Sequence, residues 1–186
     1  MPAFLQSIPL RWLIAVIGFP IGGFIGHLVA GPAATIASAS ISGAMAGAII
    51  GLGQGFALKL SSQALALWAT ASAVGLGLAL AAVTAAIGQI TTLTEAAALG
   101  AVAGLVLGAG QAIMLYRSGV PAAWLWVAVS GLAWAAGWFV TASAGIALEA
   151  GWPVYGMSGA IVSQVITGIV IWRGLGGRMA TTSTSA

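Results

Sequence analysis

His27, Glu95, Glu149 and Ser158, with the amides Gln54 and Gln111, are the side chains able to do chemistry in an otherwise apolar chain. His27 is the single histidine and there is no cysteine, which excludes thiol chemistry and a disulfide framework. One imidazole and two carboxylates are a poor donor set beside the four ligands of a structural zinc site. No metal site is expected. Glu95 and Glu149 fall at the ends of apolar runs, where a solvated carboxylate serves topology more simply than it binds a cation. No Walker string, dinucleotide fingerprint or Cys/His cluster occurs.

The elements that would position these groups follow from composition. Of 186 residues, 61% are hydrophobic and 4% charged, against about 25% charged in soluble domains. So little charge cannot cover a water-facing surface, and the solvent implied is lipid. The net charge of +3 is too small and too scattered for nucleic acid. A spanning helix needs about 20 mostly apolar residues. Six stretches qualify, at 9–30, 33–58, 64–90, 95–116, 121–148 and 152–173. The apolar run from Leu13 to Ala30 is longer than a signal-peptide core, so it counts as a helix of the mature chain.

With six helices, Arg11, Lys59, Arg117, Arg173 and Arg178 all fall on one side and both glutamates on the other. Cations accumulate on the cytoplasmic side. The expectation is an inner (plasma) membrane protein with both termini cytoplasmic. Trp12, Trp68 and Trp124 open the odd helices and Trp172 closes the last, as interfacial anchors would. Trp152 marks the other interface. Trp134 and Trp138 lie deeper, facing lipid or filling the packing.

Trp12, Trp68 and Trp124 recur every 56 residues, and Gly43, Gly100 and Gly156 keep nearly the same interval. Gln54, Gln111 and Thr167 follow the same register. The chain reads as one all-α membrane domain, 1–174, of three two-helix repeats (9–60, 64–117 and 121–173), with a disordered tail at 175–186. An even number of helices per unit makes the repeats parallel, which predicts a pseudo-threefold bundle.

Within the repeat, "GAMAGAIIGLGQ" (43–54) returns as "GAVAGLVLGAGQ" (100–111). Small residues let helices approach closely in lipid. The expected packing faces carry Gly18, Gly22 and Gly26, then Gly43, Gly47, Gly51 and Gly55, then Gly100, Gly104 and Gly108, and Gly156 in the last unit. An amide inside a membrane must find protein partners, so Gln54, Gln111 and Thr167 are expected to meet near the axis, either as a polar clasp or as a ring lining a small pore. His27 is expected to bond a backbone carbonyl. Its alternative is axial ligation of a haem or pigment, with room left by Gly23.

The string "GAxxGxxxGxGQ" on an even helix, after a Trp-led odd helix, resembles a set of uncharacterised small bacterial multi-pass membrane proteins with recurring glycine-rich hairpins. Those carry a tryptophan directly after the glutamine, where Gly55 and Ala112 stand here. The resemblance implies a fold of repeated hairpins and no activity. "GMSG" (156–159) resembles the Gly-x-Ser-Gly motif of rhomboid intramembrane proteases, which use a histidine base. Here histidine is on the first helix and serine on the last, the reverse order, and no protease is expected. Three parallel two-helix repeats are similar in number to mitochondrial carriers, whose Pro-x-Asp/Glu-x-x-Lys/Arg signature is missing.

The function expected is therefore non-enzymatic, with no cofactor. It is an accessory or structural membrane component whose partners are the bilayer and other membrane subunits or further copies of itself. The alternative is a small transporter or channel through the Gln54/Gln111/Thr167 level. It lacks a continuous polar line, since Thr35, Ser38, Ser40 and Ser42 on the second helix have little to match them on the fourth.

Overall fold

A computed structural model describes residues 8–145, 152 and 157–174. Glu149, Gly156, Arg178 and the tail at 175–186 lie outside the described residues. The described elements are helical: α1 (Ile8–Ile14), a 3-10 turn (Ala15–Ile17), α2 (Gly18–Ala30), α3 (Ile36–Ala57), α4 (Ser62–Ile87), α5 (Leu93–Arg117), α6 (Leu125–Ser143) and α7 (Met157–Gly174). No strand occurs among the described residues. Five spans are long and apolar enough to cross a membrane: Ile8–Ala30, which joins α1, the turn and α2, and then α3, α4, α5 and α6. The stretch Met157–Ile171 of α7 is apolar and shorter. These helices fit a multi-pass membrane protein.

Local chemistry explains the helix ends. Thr35 caps α3 and exchanges hydrogen bonds with Ser38, and Thr92 does the same for α5 with Glu95. Each pair satisfies two orphan donors of the first turn. Ser61 caps α4. The first span tightens at Ala15–Ile17 because Pro20 has no N–H for the Val16 carbonyl, and its ring crowds that carbonyl. Gly31 ends α2 at φ 72 with its N–H on the His27 carbonyl. The stretch expected at 121–148 becomes helical only at Leu125. Pro121 and Ala122, the latter at φ 54, hold a turn before it.

Each span packs on its chain neighbours, and α1 closes the circle against α7. Glycine sets the closest approaches. A Cβ on Gly47 would enter the Ser72 carbonyl of α4, and a Cβ on Gly43 would lie 2.9 Å from the Leu76 carbonyl. Gly104 and Gly100 stand the same way against Ser130 and Trp134 of α6. The glycine faces of α3 and α5 thus grip the helices that follow them, α4 and α6. Gly22 packs on Ala46, Gly18 on Ile50, Gly51 on Ala69, Gly108 on Val127, and Gly55 against the Leu65 side chain. Gly26 is buried in α2.

Two apolar clusters fill the interior. The larger includes Phe19, Ile50, Leu76, Leu107, Trp134 and Trp138. The smaller joins Trp12, Trp68, Trp126, Ala112 and Ile171 at the other end. Trp134 rests on Phe19 with ring centroids 5.4 Å apart, so Trp134 and Trp138 are packing bulk and do not face lipid.

Candidate functional site

Helices α3, α5 and α7 each bring an amide into the bundle at the end that carries Arg11, Lys59, Arg117 and Arg173. Gln111 donates from Nε2 to Gln54 Oε1 (3.2 Å) and to Ser72 Oγ (3.0 Å). Gln54 Nε2 donates to Gln164 Oε1 (3.2 Å), and Gln164 Nε2 donates to the Trp12 carbonyl (2.7 Å). The three amides form a one-way chain from α5 through α3 to α7, and it ends on α1. All three are buried, none more than 3% exposed.

Three tryptophans of the odd spans complete the layer. Trp126 donates its indole N–H to Gln111 Oε1 (2.7 Å) and Trp68 to Gln54 Oε1 (3.4 Å). Trp12 donates to Thr167 Oγ1 (3.1 Å), and the Thr167 hydroxyl donates in turn to the Ser163 carbonyl (2.7 Å). An indole N–H can only donate. Each tryptophan facing a glutamine therefore fixes which end of that amide faces it. Trp12 and Trp126 also meet edge to face, centroids 6.0 Å apart. Ser72 takes a bond from Gln111 and gives one to the Trp68 carbonyl. Every glutamine oxygen and nitrogen of the layer has a protein partner. An unmet amide in a membrane interior has no water to turn to, and these need none.

The tryptophans expected as interfacial anchors differ in their surroundings. Trp12 and Trp68 are buried, and their N–H groups find acceptors inside the bundle. Trp124, placed in the 56-residue register, is 55% exposed and lies against Tyr116. Trp126, two residues on, reaches Gln111. Ala122 opens the turn before α6, and the shift puts Trp126 on the inward face.

Gln54 and Gln111 touch each other directly. Among the described residues Thr167 is hydrogen-bonded to neither and accepts from Trp12. The third amide is Gln164, one turn before Thr167 on the same face of α7. Its signal was a third glutamine inside an apolar helix, masked by the strict register that aligns Thr167 with Gln111. Ser130 of α6 sits on Gly108 as Ser72 sits on Gly51, yet its buried hydroxyl has no partner.

His27 lies far from this layer, near the opposite end. Its ring stacks on Trp152, centroids 4.2 Å apart, and its buried Nδ1 has no hydrogen-bond partner. The expected bond from the ring to a carbonyl is therefore not made at Nδ1. Ser158 shares a hydrogen bond with Thr141 (3.2 Å). No hydrogen bond joins His27 and Ser158 among the described residues. Glu95 accepts from the backbone of Thr91 and Thr92 (2.9 and 3.0 Å). Among the described residues no group of three His, Cys, Asp or Glu gathers to hold a metal.

Compared with protein-family models, curated proteins and solved structures, the chain matches none.

Proposed function

We propose that the protein is a non-catalytic structural or accessory membrane component, and that the amide and indole layer is its internal clasp. One observation carries this reading: the buried amides are satisfied by protein and lie between two apolar clusters. A conduction pathway needs polar groups free to meet a solute and a continuous route past them. Here Ile50, Leu76 and Leu107 are buried on one side of the layer, and Ala57, Leu58 and Ile171 on the other. The void beside Phe19, Trp134 and Ser163 is about 10 Å³, close to the minimum for a single water.

In this reading α7 is a sixth span. The six spans form three related hairpins around a pseudo-threefold axis, with the layer at the cytoplasmic end and both termini there. The repeated geometry supports it. Trp68 on Gln54 and Trp126 on Gln111 are the same contact in successive units, and Trp12 on Thr167 is its variant where the circle closes. The clustering of Arg11, Lys59, Arg117 and Arg173 at one end supports the orientation. Large apolar side chains such as Leu28, Phe56 and Leu132 point outward, toward lipid or a neighbouring subunit.

The test is isolation from native membranes in a mild detergent through a C-terminal tag, followed by reconstitution into liposomes. The expected result is a defined assembly, with partner subunits or with further copies, and no solute or ion flux. A solitary 18.3 kDa chain that conducts would overturn the proposal.

A further inference from the structure

We infer that two lateral grooves at the basic end each hold one anionic phospholipid, with its phosphate at an arginine and an acyl chain along the groove. The inference rests on the membrane-spanning character of the helices and not on the accessory role.

The larger groove lies between α4 and α5 and measures about 510 Å³. Ser61, Arg117 and Ser118 stand at its mouth, and Leu67, Ala71 and Val74 line its wall. From Ser61 to Val74 the wall rises about 20 Å at the helical rise. One leaflet's hydrocarbon is about 15 Å deep, so the groove matches the reach of a single acyl chain. It closes above Val74, where Gly75 brings α4 against the Leu107 backbone.

The second groove, about 350 Å³, lies between the first span and α3 at the same end. Arg11 stands at its mouth, with Ile14, Gly18, Phe56 and Ala57 along it. It closes where Gly18 meets Ile50. The Arg11 Nε is buried and has no hydrogen-bond partner. A guanidinium N–H without an acceptor beside an apolar groove wants an anion whose remainder is apolar. Neither arginine has an acidic partner among the described residues, because Glu95 caps α5 at the far end. Arginine forks match phosphate oxygens. Basic pockets between spanning helices are where acidic headgroups bind.

The experiment uses the full chain, delipidated in detergent and titrated with dioleoyl phosphatidylglycerol or dioleoyl phosphatidylcholine, and read by native mass spectrometry. Two phosphatidylglycerol adducts are expected at about fivefold lower lipid than phosphatidylcholine, from one basic side chain per headgroup. At lipid concentrations below those at which phosphatidylcholine binds, Arg117→Gln and Arg11→Gln each remove one phosphatidylglycerol adduct. Ala64→Phe keeps both arginines, fills the α4/α5 groove, and removes the same adduct as Arg117→Gln. Equal retention of the two lipids overturns the inference. So does survival of both adducts in the arginine variants, or of the α4/α5 adduct in Ala64→Phe. Displacement of the lipid by an equal concentration of glycerol phosphate also overturns it, because the apolar wall would then hold nothing. Should a variant unfold, the comparison of the two lipids on the unaltered chain decides.

Discussion

The indole N–H of Trp126 donates a hydrogen bond to Oε1 of Gln111 over 2.7 Å, and that oxygen accepts from no other group among the described residues. The bond joins α5 to α6 at the level where Gln111 also reaches α3. It accounts for a buried tryptophan near a helix start that the repeat register would leave outside. Trp126→Phe keeps the ring and strands the amide oxygen. We predict a loss of about 1–2 kcal/mol in detergent unfolding, the upper range for such bonds in membranes. Trp124→Phe, at an exposed position, is predicted to change stability by less than about 0.5 kcal/mol. Equal effects would mean that the indole bond contributes nothing.

Ser72 and Ser130 form a natural control pair. Both pack on a glycine of the preceding helix, α3 or α5, but only Ser72 has hydrogen-bond partners. Ser72→Ala is predicted to cost about 1–2 kcal/mol, because it leaves a Gln111 N–H unpaired. Ser130→Ala removes a buried hydroxyl that has no partner, and stability is predicted to hold or rise by about 1 kcal/mol. Thermal unfolding of the two variants side by side checks this.

The glycines separate in the same way. On Gly47 and Gly104 an added methyl would run into a carbonyl of the facing helix, which cannot move without parting the pair. Gly47→Ala and Gly104→Ala are predicted to cost about 1–3 kcal/mol each. On Gly53 the same methyl finds Ala15 atoms at 3.6 Å and beyond, an ordinary contact. Gly53→Ala should be tolerated. A flat profile across the three would contradict close approach as the role of the stripe.

Much of this was legible in the sequence. The apolar runs gave the five long spans, and Gln54 and Gln111 were found because an amide in an apolar helix must bond to protein. The glycine string predicted a close approach. The partner was harder to read, since small residues say only that something comes near. Gly47 meets Ser72 of α4, a pairing that depends on crossing geometry. Gln164 and the bond from Trp126 to Gln111 were hidden for one shared reason. Gln164 and Trp126 sit off the exact repeat register, by one helical turn and by two residues, and a strict period favours Thr167 and Trp124 instead. Three-dimensional position follows the inward face of a helix and tolerates such slips.

The circle of helices closes through Trp12, which holds α7 twice: its N–H goes to Thr167, and its carbonyl accepts from Gln164. Thr167→Val with Gln164→Leu cuts both ties, and with them the bond from Gln54 of α3 to Gln164, while the α5 bonds to Gln54, Ser72 and Trp126 stay in place. Faster backbone hydrogen exchange is predicted across residues 8–17, with α4 and α5 unchanged. Uniformly raised exchange would show that the seam is not a separable unit.

The most direct test of the clasp is whether water reaches it. Indole protons of the unaltered protein, labelled with nitrogen-15 at tryptophan and held in lipid nanodiscs, can be followed by NMR after transfer to heavy water. Trp→Phe variants assign the signals. The account predicts that the Trp68 and Trp126 indole protons persist long after that of Trp124 has exchanged. Exchange of all three at one rate would place water at Gln54 and Gln111, and would make the layer part of an aqueous pathway.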